Sequence, residues 1–407
     1  MFRRTAVAAP FALLCCAASA QSQTVLTVDR VIELVDRQNP EVLLARARVS
    51  QAEGVLTTSR ARFATNPEAD LFLGSRDGSV GGRSTDLEFS MMQRFEIAGQ
   101  RGHRVAAATA GVGQRTFEVA ATALQAKAAA LAAFYRAVHA EEARRIAEDA
   151  LALSEEAVRA AQARYETGET AVLDVNVARV ELARARRDQL TAVSRREGVL
   201  GELRELLALP SQEPLRLEGS LRAEAVPGLE VLLAHLIERA DLQALGANLA
   251  QAEAESRLVR AARTPDLFGG VGFRREGNEP VTGVRLGFAL PLFQRQIGAI
   301  AAASARISES KTALEARRIA LEARLRASHA QYVTAVEAAD AIASGAVPLV
   351  AENEQLTRES YQAGKIGLLE LLVIRREGFA ARREALDAQL DVALVAVDVR
   401  GIAGVIR

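Results

Sequence analysis

The 407-residue sequence contains no tryptophan, and aromatic residues make up only 4% of it. It is therefore poor in the large side chains that fill a compact mixed core. Alanine, glutamate, arginine and leucine instead dominate long stretches, which is typical of long packed helices. The 51 basic and 51 acidic residues balance, so no positive excess indicates a nucleic-acid partner.

The only two cysteines, Cys15 and Cys16, lie in the N-terminal segment. There Arg3 and Arg4 precede an apolar run and the small residues Ala-Ser-Ala at 18–20, as in a signal peptide. We predict a signal peptide over residues 1–20, and an exported mature chain without cysteine. Because no later stretch has about 18 uninterrupted apolar residues, this chain is predicted to be periplasmic, secreted or an outer-membrane β-barrel.

Motifs for catalysis or metal binding are absent from the sequence. The histidines are scattered without the spacing of a metal site; they are His103, His139, His235 and His329. No nucleophile elbow, phosphate-binding loop or metalloprotease helix occurs. We therefore expect no cofactor, no resident metal and no enzymatic activity.

One short pattern occurs twice, 196 residues apart, each time inside helical sequence. It reads Tyr-x-x-Gly, then an apolar-acidic pair, then Arg. The first copy contains Tyr165, Gly168, Leu173, Asp174 and Arg179, and the second contains Tyr361, Gly364, Leu369, Glu370 and Arg375. Glycine is the usual residue just after a helix C-terminus. The pattern therefore predicts two helix-turn-helix tips.

Two other regions alternate apolar and polar residues with the period of a β-strand. Within 86–95, Leu87, Phe89 and Met91 alternate with polar neighbours, and 284–290 behaves in the same way. We predict β-hairpins over about 68–96 and 266–292, each with one apolar and one polar face. Their strands have about the length that a tilted outer-membrane strand requires.

The rest of the chain has helical patterns that repeat. Proline-free sequence at 98–167 predicts one helix of about 100 Å, followed by a return helix at 170–207. The second half predicts helices at 229–263, about 296–363 and 367–403. Offsets of 196–198 residues between matching features indicate an internal duplication. The predicted organisation is a first repeat at 21–207, a proline-bearing linker at 208–228 and a second repeat at 229–407.

The predicted strands require more than one chain. Single-chain membrane barrels have about eight strands or more, and an open sheet edge in lipid leaves backbone groups without partners. Three copies of four strands would give twelve. In the helical part, segments 41–63 and 170–207 together match the uninterrupted helix beside them in length, so they are predicted to stack end to end.

These features resemble the TolC-type outer-membrane efflux factors over essentially the whole mature chain. The resemblance implies a mainly α fold with a small β part, in which a homotrimer forms a twelve-stranded β-barrel in outer-membrane lipid. An α-helical tunnel continues the barrel across the periplasm of a Gram-negative bacterium. It also implies a passive conduit that receives substrate from a periplasmic adaptor and an inner-membrane RND-type pump.

The same resemblance assigns roles to the tips. Tyr165, Gly168, Tyr361 and Gly364 are then adaptor contacts, and Glu370 matches an acid that constricts the pore entrance. Asp174 is the second candidate acid there, while Val373 replaces a further acid of the family. From the residues alone, the glycines are helix C-caps, the tyrosines pack in the helix seam, and both acids are first-turn residues favoured near a helix N-terminus.

Two segments resemble the cobalt-zinc-cadmium branch of that family. They are 93–101 and 290–298, where strand gives way to helix, and Gly99 and Pro291 are the residues that permit the bend. Divalent heavy-metal cations are therefore the expected cargo. Drug efflux and type I secretion are alternatives because the pump selects most cargo, and a soluble periplasmic coiled-coil adaptor is a further alternative.

Overall fold

The computed structural model describes residues 24–78, 82–276, 279–290, 292–293 and 295–406. The predicted signal peptide, both cysteines and Pro291 lie outside these residues. The first half contains β1 (Thr24–Leu26), α1 (Val28–Gln38), α2 (Pro40–Ser59), β2 (Glu68–Gly78), β3 (Gly82–Phe95), α3 (Gln100–Glu166) and α4 (Val172–Leu206). The linker contains β4 (Leu215–Leu217), and the second half contains α5 (Leu229–His235), α6 (Ala240–Ala261), β5 (Leu267–Glu276), β6 (Glu279–Phe288), α7 (Ile297–Ala341), α8 (Val347–Gln362) and α9 (Leu368–Ala403).

The short helices of the first half stack as their lengths predict. Asn39 ends α1 in an extended conformation and caps α2 through its side-chain oxygen, which accepts from the Glu41 N–H at 3.0 Å. Its amide nitrogen donates to the carbonyl of Leu206 at 2.9 Å. The start of α2 is thereby joined to the end of α4. Together these helices run beside the 67 residues of α3.

The second half also has a break between its short helices, as the first half has at Asn39. The predicted single helix over 229–263 is therefore wrong. Arg239 is extended (φ −61°, ψ 134°) and separates a short 3-10 turn from α6. Its buried guanidinium donates to the carbonyl of Gly401 at 2.8 Å, to that of Ile402, and to Asp241 at 2.8 Å. The break allows Arg239 to donate hydrogen bonds to carbonyl groups at the end of α9, the part of a helix where carbonyls lack N–H partners from a following turn. Helix periodicity in the sequence does not reveal such long-range hydrogen bonds.

The carboxylate of Asp241 joins this break to α7. It accepts from Arg239 and from Nη2 of Arg317, the latter at 2.9 Å. Burial alone would raise the pKa of Asp241, but the hydrogen bonds and charges of both arginines hold it below its ordinary value. The carboxylate is therefore ionised throughout the neutral range and stabilises the joint there.

Within the described residues, four strands form one antiparallel sheet in the order β2-β3-β5-β6. The register places Phe89 opposite Leu71 and Phe273, and Leu267 opposite Phe288, so apolar residues share one face. The other face is polar and carries ion pairs between strands, among them Arg285 with Glu88 at 3.4 Å. In the described residues neither β2 nor β6 has a strand on its outer edge.

The predicted continuous helix over about 296–363 is interrupted. Residues 342–346 form a π-helical turn between α7 and α8. Pro348 is the second residue of α8, just after the turn, and lacks the N–H that an α-helix would use at this point. Gly345 and Pro348 are the sequence signals that the prediction overlooked.

The main hydrophobic core lies where α1, α3 and α4 meet the linker. Alanines of α3 are buried there and let the helices approach closely; they include Ala126, Ala130, Ala133 and Ala137. The linker also contributes β4, which pairs in parallel with β1 to form a two-stranded sheet. Alternation could not predict these strands because each has only three residues. Leu221 of the linker is buried in the same core. The linker therefore packs over the main hydrophobic core.

Two helical stretches qualify as candidate membrane spans by length and hydropathy alone, Gln100–Glu166 and Ile297–Gln362. Both contain charged residues, such as Lys127 and Glu337. Each is also far longer than the roughly 20 residues that cross a bilayer. In their most apolar windows only 28% and 0% of the residues are buried within one chain. These apolar faces are therefore largely uncovered in a single protomer.

Candidate functional site

Both predicted tips are tight turns closed by the same backbone hydrogen bonds. After α3, Gly168 has φ +77° and its N–H donates to the carbonyl of Tyr165 at 3.0 Å, while Glu169 N–H donates to Arg164 at 2.8 Å. After α8, Gly364 has φ +71° and donates to Tyr361 at 3.0 Å. This is the Schellman arrangement, in which a residue with positive φ follows the helix. The glycines thus have the backbone conformation predicted for helix caps.

The fold brings the two tips into contact although 196 residues separate them. Leu368 and Leu371 of α9 form a buried cluster with Val175 of α4 and with Ala161 and Ala178. The small alanines allow α3, α4 and α9 to approach closely at this point. The two halves of the duplication therefore end in one packed unit.

The tyrosines of the two tips have different surroundings. Tyr361 packs against the tip cluster, and the guanidinium of Arg164 lies 4.9 Å from its ring centroid. Such an arrangement is a cation–π contact, and it joins tip to tip. Tyr165 is 45% exposed, so its ring is available to another molecule. The second repeat has Ser360 where the first has Arg164, so the contact has no symmetric copy.

The two candidate pore-entrance acids also differ in burial. Asp174 is partly buried and accepts from the hydroxyl of Thr170. Glu370 is exposed in the first turn of α9, where its carboxylate accepts from the Gly367 N–H at 3.4 Å. The carboxylate lies at the positive end of the α9 dipole. Its other oxygen sites remain open to solvent or to a cation.

A groove rich in arginine lies between α3, α4 and α9, further along these helices from the tips. It encloses about 350 Å³ and is lined by apolar residues that include Phe379 and by five arginines: Arg184, Arg187, Arg375, Arg376 and Arg383. Glu181 and Asp188 also line it and pair with Arg184 and Arg187. Burial lowers the pKa of Arg375, and the positive charge of Arg358 lowers it further. Arg179, its counterpart in the first tip pattern, is exposed and donates to Gln162 at 3.3 Å. The repeated arginine therefore lies in a different environment in each half.

The predicted hinge at Gly99 connects β3 to α3 in the left-handed region, with φ +75°. Gln100 follows it and is buried. Its side-chain oxygen accepts from the Ala98 N–H at 2.7 Å, and its nitrogen donates to Asp266 at 3.0 Å. Since Asp266 also pairs with Arg94, the hinge is tied to the start of β5.

In the second half, the structural equivalent of Gly99 is Gln296, which the sequence did not indicate. Gln296 has φ +58° and directly precedes α7, at an offset of 197 residues from Gly99. The predicted hinge residue Pro291 lies outside the described residues. A non-glycine residue in this conformation is uncommon, and the offset between the repeats is the signal that could have identified it.

The sequence pattern of the family described as "Outer membrane efflux protein" matches residues 31–209 and 232–405. These two matched segments correspond to the two halves of the duplicated fold. They include both tips, both hairpins and the Gly99 hinge.

Two curated relatives align with most of the chain. The cobalt-zinc-cadmium resistance protein CzcC of Cupriavidus metallidurans is 24% identical over 365 residues, covering 88% of this chain and 85% of CzcC. The nickel-cobalt-cadmium resistance protein NccC of Alcaligenes xylosoxydans xylosoxydans is 28% identical over 312 residues, covering 72% and 67%. The chain therefore corresponds to most of the length of both proteins.

Among solved structures, the open state of the Neisseria gonorrhoeae MtrE outer membrane channel has a similar fold. The TM-score is 0.78 at 21% identity, over 93% of this chain and 88% of the channel. This similarity confirms the predicted fold class, mainly helical with a small sheet.

Proposed function

The chain belongs to the outer membrane efflux protein family, and from this we propose that it is the outer-membrane conduit of a tripartite exporter of divalent transition-metal cations. In this role it catalyses no reaction. It receives substrate at the helical tips from a periplasmic adaptor and an inner-membrane RND-type pump, and it conducts this substrate passively to the exterior.

The observation that carries the proposal is the two-faced open sheet. Its apolar side chains are exposed in one chain, including Leu71 (64%) and Val284 (76%), and they share one face by register. A lipid environment covers such a face, while the polar face lines a water-filled interior. The sheet is therefore suited to a membrane wall.

The unpaired edges of β2 and β6 support assembly as a homotrimer. Unpaired backbone groups are costly in lipid, and β2 of one copy can pair with β6 of the next until the sheet closes. Three copies provide twelve strands, within the range of membrane barrels. The uncovered apolar residues of α7 and α8, such as Ile319 and Leu349, then face neighbouring copies in a helical tunnel.

The proposed cargo rests on the names of the relatives. Both CzcC and NccC are cobalt and cadmium resistance proteins, one with zinc and the other with nickel. The exposed Glu370 carboxylate is compatible with cation passage, because three copies around the axis would favour positive charge. Tyr165 and Gly168, with Tyr361 and Gly364, form the surface that we assign to the adaptor.

Deletion of the gene tests the cargo. We expect growth to become more sensitive to cobalt, zinc, cadmium or nickel salts than to lipophilic drugs, and expression of the full chain from a plasmid should restore resistance. A deletion strain that loses drug resistance or secretion of a protein, with unchanged metal tolerance, would assign the conduit to another exporter.

A further inference from the structure

The end of the sheet where strands give way to helices forms a continuous rim. We define this rim as residues 60–66, 94–104, 262–266 and 289–297, excluding 291 and 294. The register aligns Phe95 with Leu267 and Leu267 with Phe288, so these segments meet at one end of the sheet. Phe63 packs edge-on against Phe95 with ring centroids 5.7 Å apart, which places the end of α2 there too.

The apolar face of the sheet reaches this rim at Phe95, against which Phe63 packs. Several apolar side chains of the rim are exposed in the chain: Phe63, Ile97, Leu290, Leu292 and Phe293. Phe293 is 96% exposed. Exposure of a large aromatic ring at the end of a lipid-facing sheet is typical of the membrane interface.

The charge of the rim is almost all of one sign. Its only acids, Glu96 and Asp266, are paired with Arg104 and Arg94. Five further arginines are exposed and form no ion pair in the described part of the chain: Arg60, Arg62, Arg101, Arg263 and Arg295. The rim therefore has an excess of five positive charges per protomer.

Two of these arginines lie beside apolar side chains, and a third is held by backbone carbonyls. The Arg62 guanidinium lies 5.6 Å from the Phe63 ring centroid. Arg101 donates to the backbone carbonyls of Arg60, at 2.8 Å, and Ala61. Arg263 lines the same groove as Phe293 and Leu290. Arg62 and Arg263 thus lie next to apolar groups that suit acyl chains.

We propose that this rim binds the phosphate groups of anionic phospholipids in the leaflet that faces the helices. The inference uses the membrane location of the sheet but not the nature of the cargo. Arginine matches phosphate oxygens with its planar fork of donors, and its apolar stem can lie along the lipid boundary. An acidic protein would satisfy the charge but not the exposed apolar side chains of the rim, such as Phe63, Leu292 and Phe293.

The test uses the full-length protein in detergent, titrated with dioleoyl-phosphatidylglycerol or dioleoyl-phosphatidylcholine, with bound lipid counted by native mass spectrometry. We expect tighter binding of phosphatidylglycerol, and weaker binding as salt increases. A variant with Arg62→Gln, Arg263→Gln and Arg295→Gln should lose at least tenfold in affinity for phosphatidylglycerol. The same three positions changed to Lys should recover part of the affinity.

A matched control removes three arginines far from the rim: Arg186→Gln, Arg195→Gln and Arg318→Gln. All three are exposed helical residues without an ion pair in the described chain, and this control should bind lipid as wild type does. Two single variants, Arg62→Gln and Arg295→Gln, are tested beside the triple variant after wild-type assembly has been verified. If all three keep the preference for phosphatidylglycerol, the proposal is wrong. If inorganic phosphate at the same concentration displaces bound phosphatidylglycerol, the site binds free anions instead of lipid. Metal tolerance of the same strains reports on the cargo separately.

Discussion

At the scale of single residues, the duplicated tips share a backbone but not a side-chain environment. Gly168 and Gly364 have similar positive φ angles and equivalent backbone hydrogen bonds. Glu370 is exposed, whereas Asp174 is partly buried against Thr170. The two tips thus share the turn but differ in the surroundings of their acids. The exposed acid is the better candidate for contact with cations.

Replacing Glu370 by Gln should weaken cation selectivity in planar bilayers, because the proposed trimer would lose three carboxylates around one axis. Block by polyvalent cations should weaken as well, although Val373 supplies no second acid and the wild-type block is expected to be modest. Assembly should not change, since the side chain is exposed. Glu377→Gln, an exposed acid further along α9, is the control. Unchanged selectivity in the Glu370 variant would direct attention to Asp174.

At the scale of elements, the strand-to-helix junctions require a residue with positive φ. The first half uses Gly99 and the second uses Gln296, with similar dihedral angles. For a residue with a Cβ atom, this conformation costs about 1–2 kcal/mol. The second junction therefore contains strain that the first avoids.

These two junctions provide a matched pair of substitutions. Gly99→Ala should destabilise the protein by about 1–2 kcal/mol, because no clash is involved and only the backbone conformation is penalised. Gln296→Gly should change stability by less or increase it, since relief of strain is offset by the entropy of glycine in the unfolded chain. Thermal unfolding of both variants in detergent measures the difference. Equal destabilisation by the two changes would contradict the assignment of strain.

At the scale of the whole molecule, the two faces of the sheet set the environment of each strand. Val284 belongs to the apolar face and is 76% exposed. Its neighbour Gly283 pairs with Gly272 on the polar face, and a Cβ there would meet nothing within 4 Å. Adjacent positions therefore face opposite sides of the sheet, which we assign to lipid and to a water-filled interior.

Lysine at these two positions should have opposite outcomes. Val284→Lys should cost about 2–4 kcal/mol, as expected for a lysine facing the middle of the bilayer, and should reduce the amount of assembled protein in the outer membrane. Gly283→Lys should assemble normally. Membrane fractionation followed by mild-detergent electrophoresis measures both, with a trimer expected for wild type. Normal assembly of Val284→Lys would mean that this face does not contact lipid.

Much of the architecture followed from periodicity and repetition, which are local properties of a sequence. The alternation around Phe89 and Val284 predicted the hairpins because each side chain's face depends only on its position in the strand. The glycines at 168 and 364 predicted the tips because a positive φ is a property of the residue itself. The offset between the halves predicted the duplication.

The features that sequence reasoning missed depend on partners far away in the chain. Arg239 breaks a helix because carbonyl groups of α9, about 160 residues later, accept its hydrogen bonds. Gln296 has a positive φ because the strand and helix on either side impose it, and β1 forms because β4 lies beside it. Local patterns were enough to place the two hairpins, the long helices, their order and their duplication. The helix breaks, the contacts between the tips and the exposure of Glu370 depend instead on the folded chain, because packing and long-range hydrogen bonds outweigh local preference at those positions.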